Sequence, residues 1–117
     1  MGVIVRVLRA KVRADRVGAF NAVLRRQVAL LREQPGLVYV NLARRLKPDG
    51  GQEAILFEEW QDAGSLYAWV GPVLTEPRLV PGARQLMDEL VVAHYECLID
   101  GTNETGQPVP EESAATA

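Results

Sequence analysis

The chain has 117 residues, of which 48% are hydrophobic and 24% are charged, and its formal net charge at pH 7 is −2. These values are typical of one globular domain, and they provide no basic field for nucleic acid or for an anionic lipid surface. Arg6 interrupts the apolar N-terminal residues and no apolar run approaches a membrane span, so we predict neither a signal peptide nor a membrane helix. The single cysteine, Cys97, excludes an internal disulfide and suits a reducing compartment, so we expect a cytoplasmic protein.

The first third of the chain predicts a strand followed by a long helix. Residues 3–12 are rich in β-branched side chains, which favour a strand. Asp15 is a candidate N-cap for the helix, and Pro35-Gly36 ends it, because proline cannot continue a helix and glycine tolerates the left-handed exit. The buried stripe of this helix is predicted from apolar residues at steps of three and four: Val17, Phe20, Leu24, Val28 and Leu31.

The middle of the chain predicts a β-hairpin. Residues 37–47 form its first strand, residues 53–60 form its second, and the turn is Pro48-Asp49-Gly50-Gly51. Side chains alternate between the two faces of a strand, so Glu58 and Glu59 are expected on opposite faces and not as a carboxylate pair.

The second half of the domain predicts a short helix, a loop and a last strand. Asp62 is the expected cap of the helix, and Gly71-Pro72 closes it. Residues 73–82 contain two prolines, Pro77 and Pro81, and are expected to form an irregular loop. A helical turn around residues 83–87 then precedes the fourth strand, residues 89–99.

This βαββαβ order predicts an α+β, ferredoxin-like fold, in which one antiparallel four-stranded sheet carries two helices on one face. We expect residues 1–99 to form the domain. Residues 100–117 lack aromatic side chains and are rich in Gly, Pro, Glu, Thr and Ala, so this tail is expected to be disordered and dispensable for folding.

Both faces of the first and fourth strands are apolar, although the helices can cover only one face. An uncovered apolar face of several hundred Å2 is rare on a monomer. We therefore expect a homodimer in which two sheets pack face to face, and the alternative is that loops and the tail cover the second face. The residues on the two sides of the first strand are Val3, Val5 and Val7, and Ile4, Leu8, Ala10 and Val12.

From residue 3 to residue 98 the chain resembles the antibiotic biosynthesis monooxygenase (ABM) family of dimeric α/β barrels. The resemblance rests on Pro35-Gly36 with the strand that follows, on Phe57-Glu58-Glu59-Trp60, on Asp62 opening a helix, and on Ala68-Trp69 near its end. It implies a cofactor-independent oxygenase that uses O2 on an aromatic polyketide-like or quinol substrate, while one branch of the family degrades haem.

The family's substrate-holding residues are matched only in part. Trp60 matches the strand-three tryptophan of oxygenases that act on anthrone-like substrates. The positions of their asparagine and tyrosine hold Leu56 and Leu66, with Tyr67 one residue beyond, and Arg84 is the candidate for their downstream arginine.

The haem-degrading branch is matched less well. Trp69 fits its helix-two tryptophan, but Leu8 stands where an asparagine is expected, and residues 75–77 contain no histidine to bind the iron. We therefore expect no haem turnover.

Cofactor-free oxygenation needs an apolar cavity, an aromatic wall and a few polar groups that bind and deprotonate a hydroxyl. We predict Trp60 and Trp69 as the wall and Asn41 as a group that orients a substrate oxygen. The structural alternatives are that both tryptophans belong to the core and that Asn41 is satisfied locally. His94 is either a proton shuttle or a structural residue, and it cannot form a dyad with Cys97, which leaves the opposite face.

Two functional hypotheses remain open. The first is a cofactor-independent monooxygenase acting on an aromatic or quinol substrate, and the alternative is a non-catalytic dimer that binds a small ligand or assists a biosynthetic partner. One histidine and one cysteine do not provide a metal-binding set, and no glycine-rich phosphate loop follows a strand, so we expect neither a metal nor a nucleotide cofactor.

Overall fold

A computed structural model describes residues 3–99 of the chain. The predicted tail, residues 100–117, lies outside this range. The strands are β1 (Ile4–Val12), β2 (Leu37–Leu46), β3 (Gln52–Trp60) and β4 (Glu89–Glu96), and the helices are α1 (Val17–Arg32) and α2 (Ala63–Val70).

The four strands form one antiparallel sheet in the order β2-β3-β1-β4. This order, with the two helices on one face, confirms the predicted ferredoxin-like fold. The N-terminal strand β1 is central, and its Leu8 lies opposite Leu56 on β3 and opposite Val92 on β4. The even-numbered residues of these three strands therefore share the face that the helices cover.

The strand β4 is shorter than predicted, ending at Glu96 instead of residue 99. Ile4, the first residue of β1, is the register partner of Glu96, so β1 has no further strand residue to pair with the chain beyond that point.

The core lies between the helices and the even-numbered face of the sheet. On α1 the predicted stripe is confirmed, since Phe20, Leu24 and Leu31 are buried, and the polar Gln27 is buried beside them. The buried apolar residues are Leu8, Ala10, Val12, Phe20, Leu24, Leu31, Ala54, Leu56, Trp60, Leu66, Trp69, Val70, Ala83 and Met87.

The two helices begin differently. The prediction that Asp15 caps α1 is wrong, because a 3-10 turn at Ala14–Arg16 is inserted before the helix and no side chain caps it. Asp15 lies inside that turn, where its carboxylate is 3.6 Å from Nε of Arg13. The prediction for α2 is confirmed, since Oδ1 of Asp62 accepts a hydrogen bond of 2.8 Å from the backbone N–H of Ser65.

Among the described residues, no helix packs on the odd-numbered face of the sheet, which is largely apolar, as predicted. Tyr39 and Phe57 make an edge-to-face contact on it with ring centroids 6.1 Å apart. Its other apolar residues are Val5, Val7, Ala43, Ile55, Val91, Ala93 and Tyr95. Within residues 3–99, none of the helices has the length and apolar character needed to cross a membrane.

Gly36 lies in the turn between α1 and β2 and contacts the start of α2. Its φ of +87° lies in the left-handed region, and a Cβ atom there would collide with the Ser65 side chain. Its carbonyl also accepts a 2.8 Å hydrogen bond from the backbone N–H of Gln61. The glycine therefore meets both a conformational and a steric requirement.

We expect Gly36→Ala to destabilise the fold more than Gly82→Ala. Gly82 has a similar φ of +90° but open space around its Cβ position, so it should show only the backbone cost, about 1–2 kcal/mol. Chemical denaturation measures the free energy of unfolding of both variants. In a double-mutant cycle, adding Ser65→Gly to Gly36→Ala should recover the part of the loss that exceeds the loss in Gly82→Ala. Equal losses for the two alanine variants would contradict the close contact.

Candidate active site

Arg6 is completely buried and lies at the centre of a polar cluster that includes Glu58 and His94. It occupies an even position of β1, between Ile4 and Leu8, so strand alternation directs it towards the helix-covered face. A charge taken out of water is strongly unfavourable unless it is paired and hydrogen-bonded. The surroundings of Arg6 therefore need to supply acceptors.

Most of those acceptors are backbone carbonyls of the loop after α2. Nη1 of Arg6 donates to the carbonyl of Leu74 at 2.9 Å, and Nη2 donates to those of Glu76 and Pro77 at 2.6 and 2.9 Å. Nη1 also lies 3.0 Å from Nε2 of His94. One side chain thus joins the central strand, the last strand and an irregular loop.

Glu58 is the acidic neighbour of Arg6. It lies directly opposite Arg6 on β3 and is 1% exposed. Its Oε1 accepts a 3.0 Å hydrogen bond from Nε1 of Trp60, while Nε of Arg6 is 3.6 Å away and has no hydrogen-bond partner within residues 3–99. Burial raises the pKa of Glu58 to about 7, against the opposing effects of the Trp60 hydrogen bond and the Arg6 charge.

His94 lies opposite Arg6 on the other neighbouring strand, β4. A guanidinium can only donate, so Nε2 of His94 accepts the contact and the proton of the neutral ring lies on Nδ1. Burial, and then the charge of Arg6, lower the pKa of His94. The imidazole is therefore a neutral group with an N–H available for donation.

An apolar cleft with a volume of about 220 Å3 opens beside α2, at the end of the β1–β4 pair. We call it the β4 cleft. His94 and Glu96 alternate onto the same face of β4, about 7 Å apart along the strand. They give an otherwise apolar and aromatic surface one neutral donor and one carboxylate. The lining residues are Ile4, Ala63, Leu66, Tyr67, Leu74, His94, Tyr95 and Glu96.

A second buried polar side chain fixes the far end of the loop. Nε2 of Gln27 donates to the carbonyl of Arg78 at 3.0 Å, and its Oε1 accepts from the N–H of Val80 at 2.7 Å. Arg78 has a φ of +53°, and its guanidinium lies 4.8 Å from the centroid of the Trp69 ring. The predicted irregular loop is thus held at both ends by side chains from α1 and β1.

The two tryptophans form a buried stack with ring centroids 6.4 Å apart and an interplanar angle of 23°. Trp60 is fully buried and lines neither of the clefts that flank α2. Trp69 borders the other one, a cleft of about 470 Å3 between the end of α1 and α2. Trp60 is therefore a core residue, and its register partner on β1, Ile4, lines the β4 cleft.

The predicted substrate-binding leucines fall in two environments. Leu66 and Tyr67, on α2, both line the β4 cleft. Leu8 and Leu56 face each other across β1 and β3 and belong to the core, with 4% and 3% exposure. Only the α2 pair is therefore available to a ligand.

Two further predicted residues lie outside this region. Asn41 is exposed on the helix-free face, where its amide donates to Oη of Tyr39 at 3.1 Å. Nη1 of Arg84 donates to the carbonyl of Met87 at 3.0 Å. Asn41 is thus satisfied locally, and Arg84 makes a contact within its own turn.

The sequence-based reading missed Arg6, Glu58 and Glu96 as parts of one region. The signal was present for Arg6 and Glu58, because each occupies a strand position in phase with buried apolar residues. A charged residue at such a position is rarely solvated and needs partners. Glu96 carried no comparable signal, since it is exposed near the end of β4.

We expect Glu58→Gln to gain stability relative to the wild type as pH rises. The pKa of Glu58 is about 7 in the fold against an ordinary value of 4.5, so the unfolded chain releases its proton first and wild-type stability falls between these pH values. The change in the stability difference between Glu58→Gln and the wild type should approach about 3 kcal/mol, since a shift of one pKa unit corresponds to about 1.4 kcal/mol. Denaturation at several pH values measures it.

Glu59→Gln is the matched control, because Glu59 is the next residue on β3, on the opposite face, and is half-exposed. Its stability relative to the wild type should vary much less with pH. A constant difference between Glu58→Gln and the wild type from pH 4.5 to 8 would contradict a buried, weakly compensated carboxylate.

A model of the antibiotic biosynthesis monooxygenase family matches residues 3–72. No curated protein sequence gives a significant match. Among solved structures, a mutant of SnoaB, a cofactor-independent oxygenase from Streptomyces nogalater, is 21% identical, with 86% of this chain and 97% of that chain covered and a TM-score of 0.66.

Two further structures have similar folds. A conserved protein from Methanosarcina mazei Go1 is 21% identical over 81% of this chain and 92% of its own, with a TM-score of 0.66. PA3566 from Pseudomonas aeruginosa is 16% identical over 85% and 97%, with a TM-score of 0.67. At these identities the likeness concerns the fold.

Proposed function

We propose that this chain, which belongs to the antibiotic biosynthesis monooxygenase family, is a cofactor-independent monooxygenase that oxidises a small aromatic or quinol substrate with O2 in the β4 cleft. The observation that carries the proposal is the presence of a neutral imidazole and a carboxylate on one wall of an apolar, aromatic cleft. The shared fold with SnoaB, a cofactor-independent oxygenase, supports it.

The reaction makes few demands on the protein. A deprotonated, electron-rich substrate gives one electron to O2, and the two radicals combine to a peroxide at carbon. The peroxide O–O bond then breaks, so that one oxygen atom stays in the product and the other leaves as water with two substrate hydrogens. An apolar cleft favours these steps, because a substrate bound there displaces water from the apolar surface.

His94 and Glu96 have different roles, the first as a hydrogen-bond donor and the second as a proton acceptor. The Nδ1–H of His94 donates to the substrate oxygen on which negative charge develops, as a preorganised neutral donor. Glu96 accepts the proton that the substrate loses, because it is the carboxylate on the same cleft wall. Leu66, Tyr67 and Leu74 supply the apolar and aromatic contacts.

The size of the cleft points to a small substrate. Its volume of about 220 Å3 is below the roughly 300–1,000 Å3 usual for drug-sized ligands. We therefore expect one- or two-ring quinols to be better substrates than larger polycyclic anthrones. Ligand entry should quench tryptophan fluorescence, since Trp60 is the strand partner of the cleft residue Ile4.

We expect Glu96→Gln to lower the rate of O2 consumption with a quinol about 100-fold or more, the usual effect of losing a general base, while fluorescence quenching persists. His94→Phe should lower it about as much by removing the donor. His94→Gln should keep part of the rate, because an amide also donates and accepts. An oxygen electrode and a panel of quinols and anthrones measure these effects.

Glu89→Gln provides the control, because Glu89 is an exposed β4 carboxylate that pairs with Lys11, 3.1 Å away. It should leave the rate of O2 consumption unchanged. Ligand quenching without O2 consumption across the panel would support the alternative, a non-catalytic small-ligand-binding dimer. Full activity in Glu96→Gln would remove that residue from the mechanism.

We also propose that the helix-free face is covered by a second copy of the chain. Tyr95 is 58% exposed there, Val91 45% and Ile55 37%, and these form part of a continuous apolar surface. Arg9 lies within this face, between Ile55 and Val91, and the next row of the sheet carries charges of both signs, which suits a face repeated on both partners. A homodimer would bury this surface without any new element.

Sedimentation at micromolar concentration should give about twice the chain mass of 12.9 kDa. Ile55→Glu, in the middle of the face, should give monomers, because it places a charge in the apolar contact. Leu46→Glu is the control, since Leu46 is 60% exposed on the other side of the sheet. A monomeric wild type, or a dimer unaffected by Ile55→Glu, would exclude this interface.

A further inference from the structure

We infer that Arg6 is a positioning residue that acts through two neighbours, holding the Leu74–Pro77 segment over the β4 cleft and fixing the tautomer of His94. Its consequence for catalysis rests on the proposed function. The structural part stands on contacts alone, so the two can be tested separately.

The first role is to hold the cleft wall. Leu74 lines the cleft, and its carbonyl accepts from Nη1 of Arg6 at 2.9 Å. The segment lies in no helix or strand, so it has no regular ladder of backbone hydrogen bonds. Three carbonyls bound to one guanidinium, those of Leu74, Glu76 and Pro77, take the place of such a ladder.

The second role is to choose which nitrogen of His94 carries the proton. Arg6 places a donor 3.0 Å from Nε2, so that nitrogen must keep its lone pair free to accept. The proton is thereby assigned to Nδ1. A hydrogen bond to one ring nitrogen commonly determines which nitrogen of a functional histidine carries the proton.

This assignment defines what the cleft recognises. An Nδ1–H can only donate, so the ligand atom that meets His94 is an acceptor, such as a carbonyl or phenolate oxygen. A substrate whose oxygen gains charge during deprotonation benefits more from this donor as the reaction proceeds. Arg6 therefore favours ligands that carry an oxygen acceptor next to the reacting carbon.

Lysine cannot replace Arg6 in these roles. The guanidinium is a rigid plane whose terminal nitrogens contact the loop carbonyls and His94 at the same time. Its Nε lies 3.6 Å from Oε1 of Glu58. An ammonium is a single point with three donors and cannot span the same acceptors. Arg6→Lys keeps the charge and the approximate volume, so it tests geometry separately from charge.

The experiment uses the only histidine of the chain as a reporter. In 15N-histidine-labelled protein without ligand, we expect a neutral ring protonated on Nδ1, with Nε2 as the acceptor. Arg6→Lys should move a large fraction of the ring to the Nε2–H form and raise exchange of the Glu76 amide, which donates to the carbonyl of Val73 at 3.0 Å, at least tenfold. Arg26→Lys, a substitution at an exposed position of α1, should change neither the tautomer of His94 nor the amide exchange rate.

A wild-type ring protonated on Nε2 would overturn the inference, even if Arg6→Lys failed to fold. Unchanged tautomer and exchange in a folded Arg6→Lys variant would also overturn it. With an active quinol substrate, Arg6→Lys should raise KM and lower kcat, each by about tenfold or more. A protein that shows the expected signals but consumes no O2 would retain the positioning role and lose the proposed function.

Discussion

The structure depends most on the burial of one guanidinium. Arg6 is fully buried in the central strand, and a charge in that position is tolerated only if its donors meet acceptors. The domain meets this requirement with three loop carbonyls, one imidazole and one distant carboxylate. Because these groups come from three separate segments, satisfying Arg6 also determines how those segments are arranged.

The carboxylate is the least satisfied member of this group. Oε1 of Glu58 accepts one hydrogen bond, from Trp60, and the nearest nitrogen of Arg6 is 3.6 Å away. Attraction to Arg6 therefore does not offset the loss of solvation, and the pKa of Glu58 is raised to about 7. The domain tolerates an unfavourable carboxylate between Trp60 and Arg6, a cost of the kind often found at functional sites.

Local sequence signals were sufficient for the architecture. Asp62 caps α2, α1 ends at Arg32 a few residues before Pro35-Gly36, and strand alternation separates Glu58 from Glu59. The signals failed where a nearby competing conformation intervened, as at Asp15, where a 3-10 turn displaces the helix start. Propensity does not distinguish a capping aspartate from one inside such a turn.

The site was harder to predict, because its geometry depends on contacts far apart in sequence. Leu66 stands at the position of the family's substrate-holding tyrosine and Tyr67 one residue beyond, and both line the cleft. The aromatic wall was expected from Trp60 and Trp69, but these stack on each other inside the domain. The roles of His94 and Leu74 arise only when the loop folds back on β1, and no local pattern in residues 73–80 predicts that Arg6 holds them.

The position of Arg6 in the chain also has a consequence for the order of folding. The groups it contacts in the loop and on β4 are 68 to 88 residues away in sequence, so closing these contacts carries a large entropic cost. Before β4 docks, Arg6 is better solvated by water than by an incomplete set of acceptors. Arg6 therefore loses its hydrating water after the folding transition state. The cluster slows unfolding and adds little to the rate of folding.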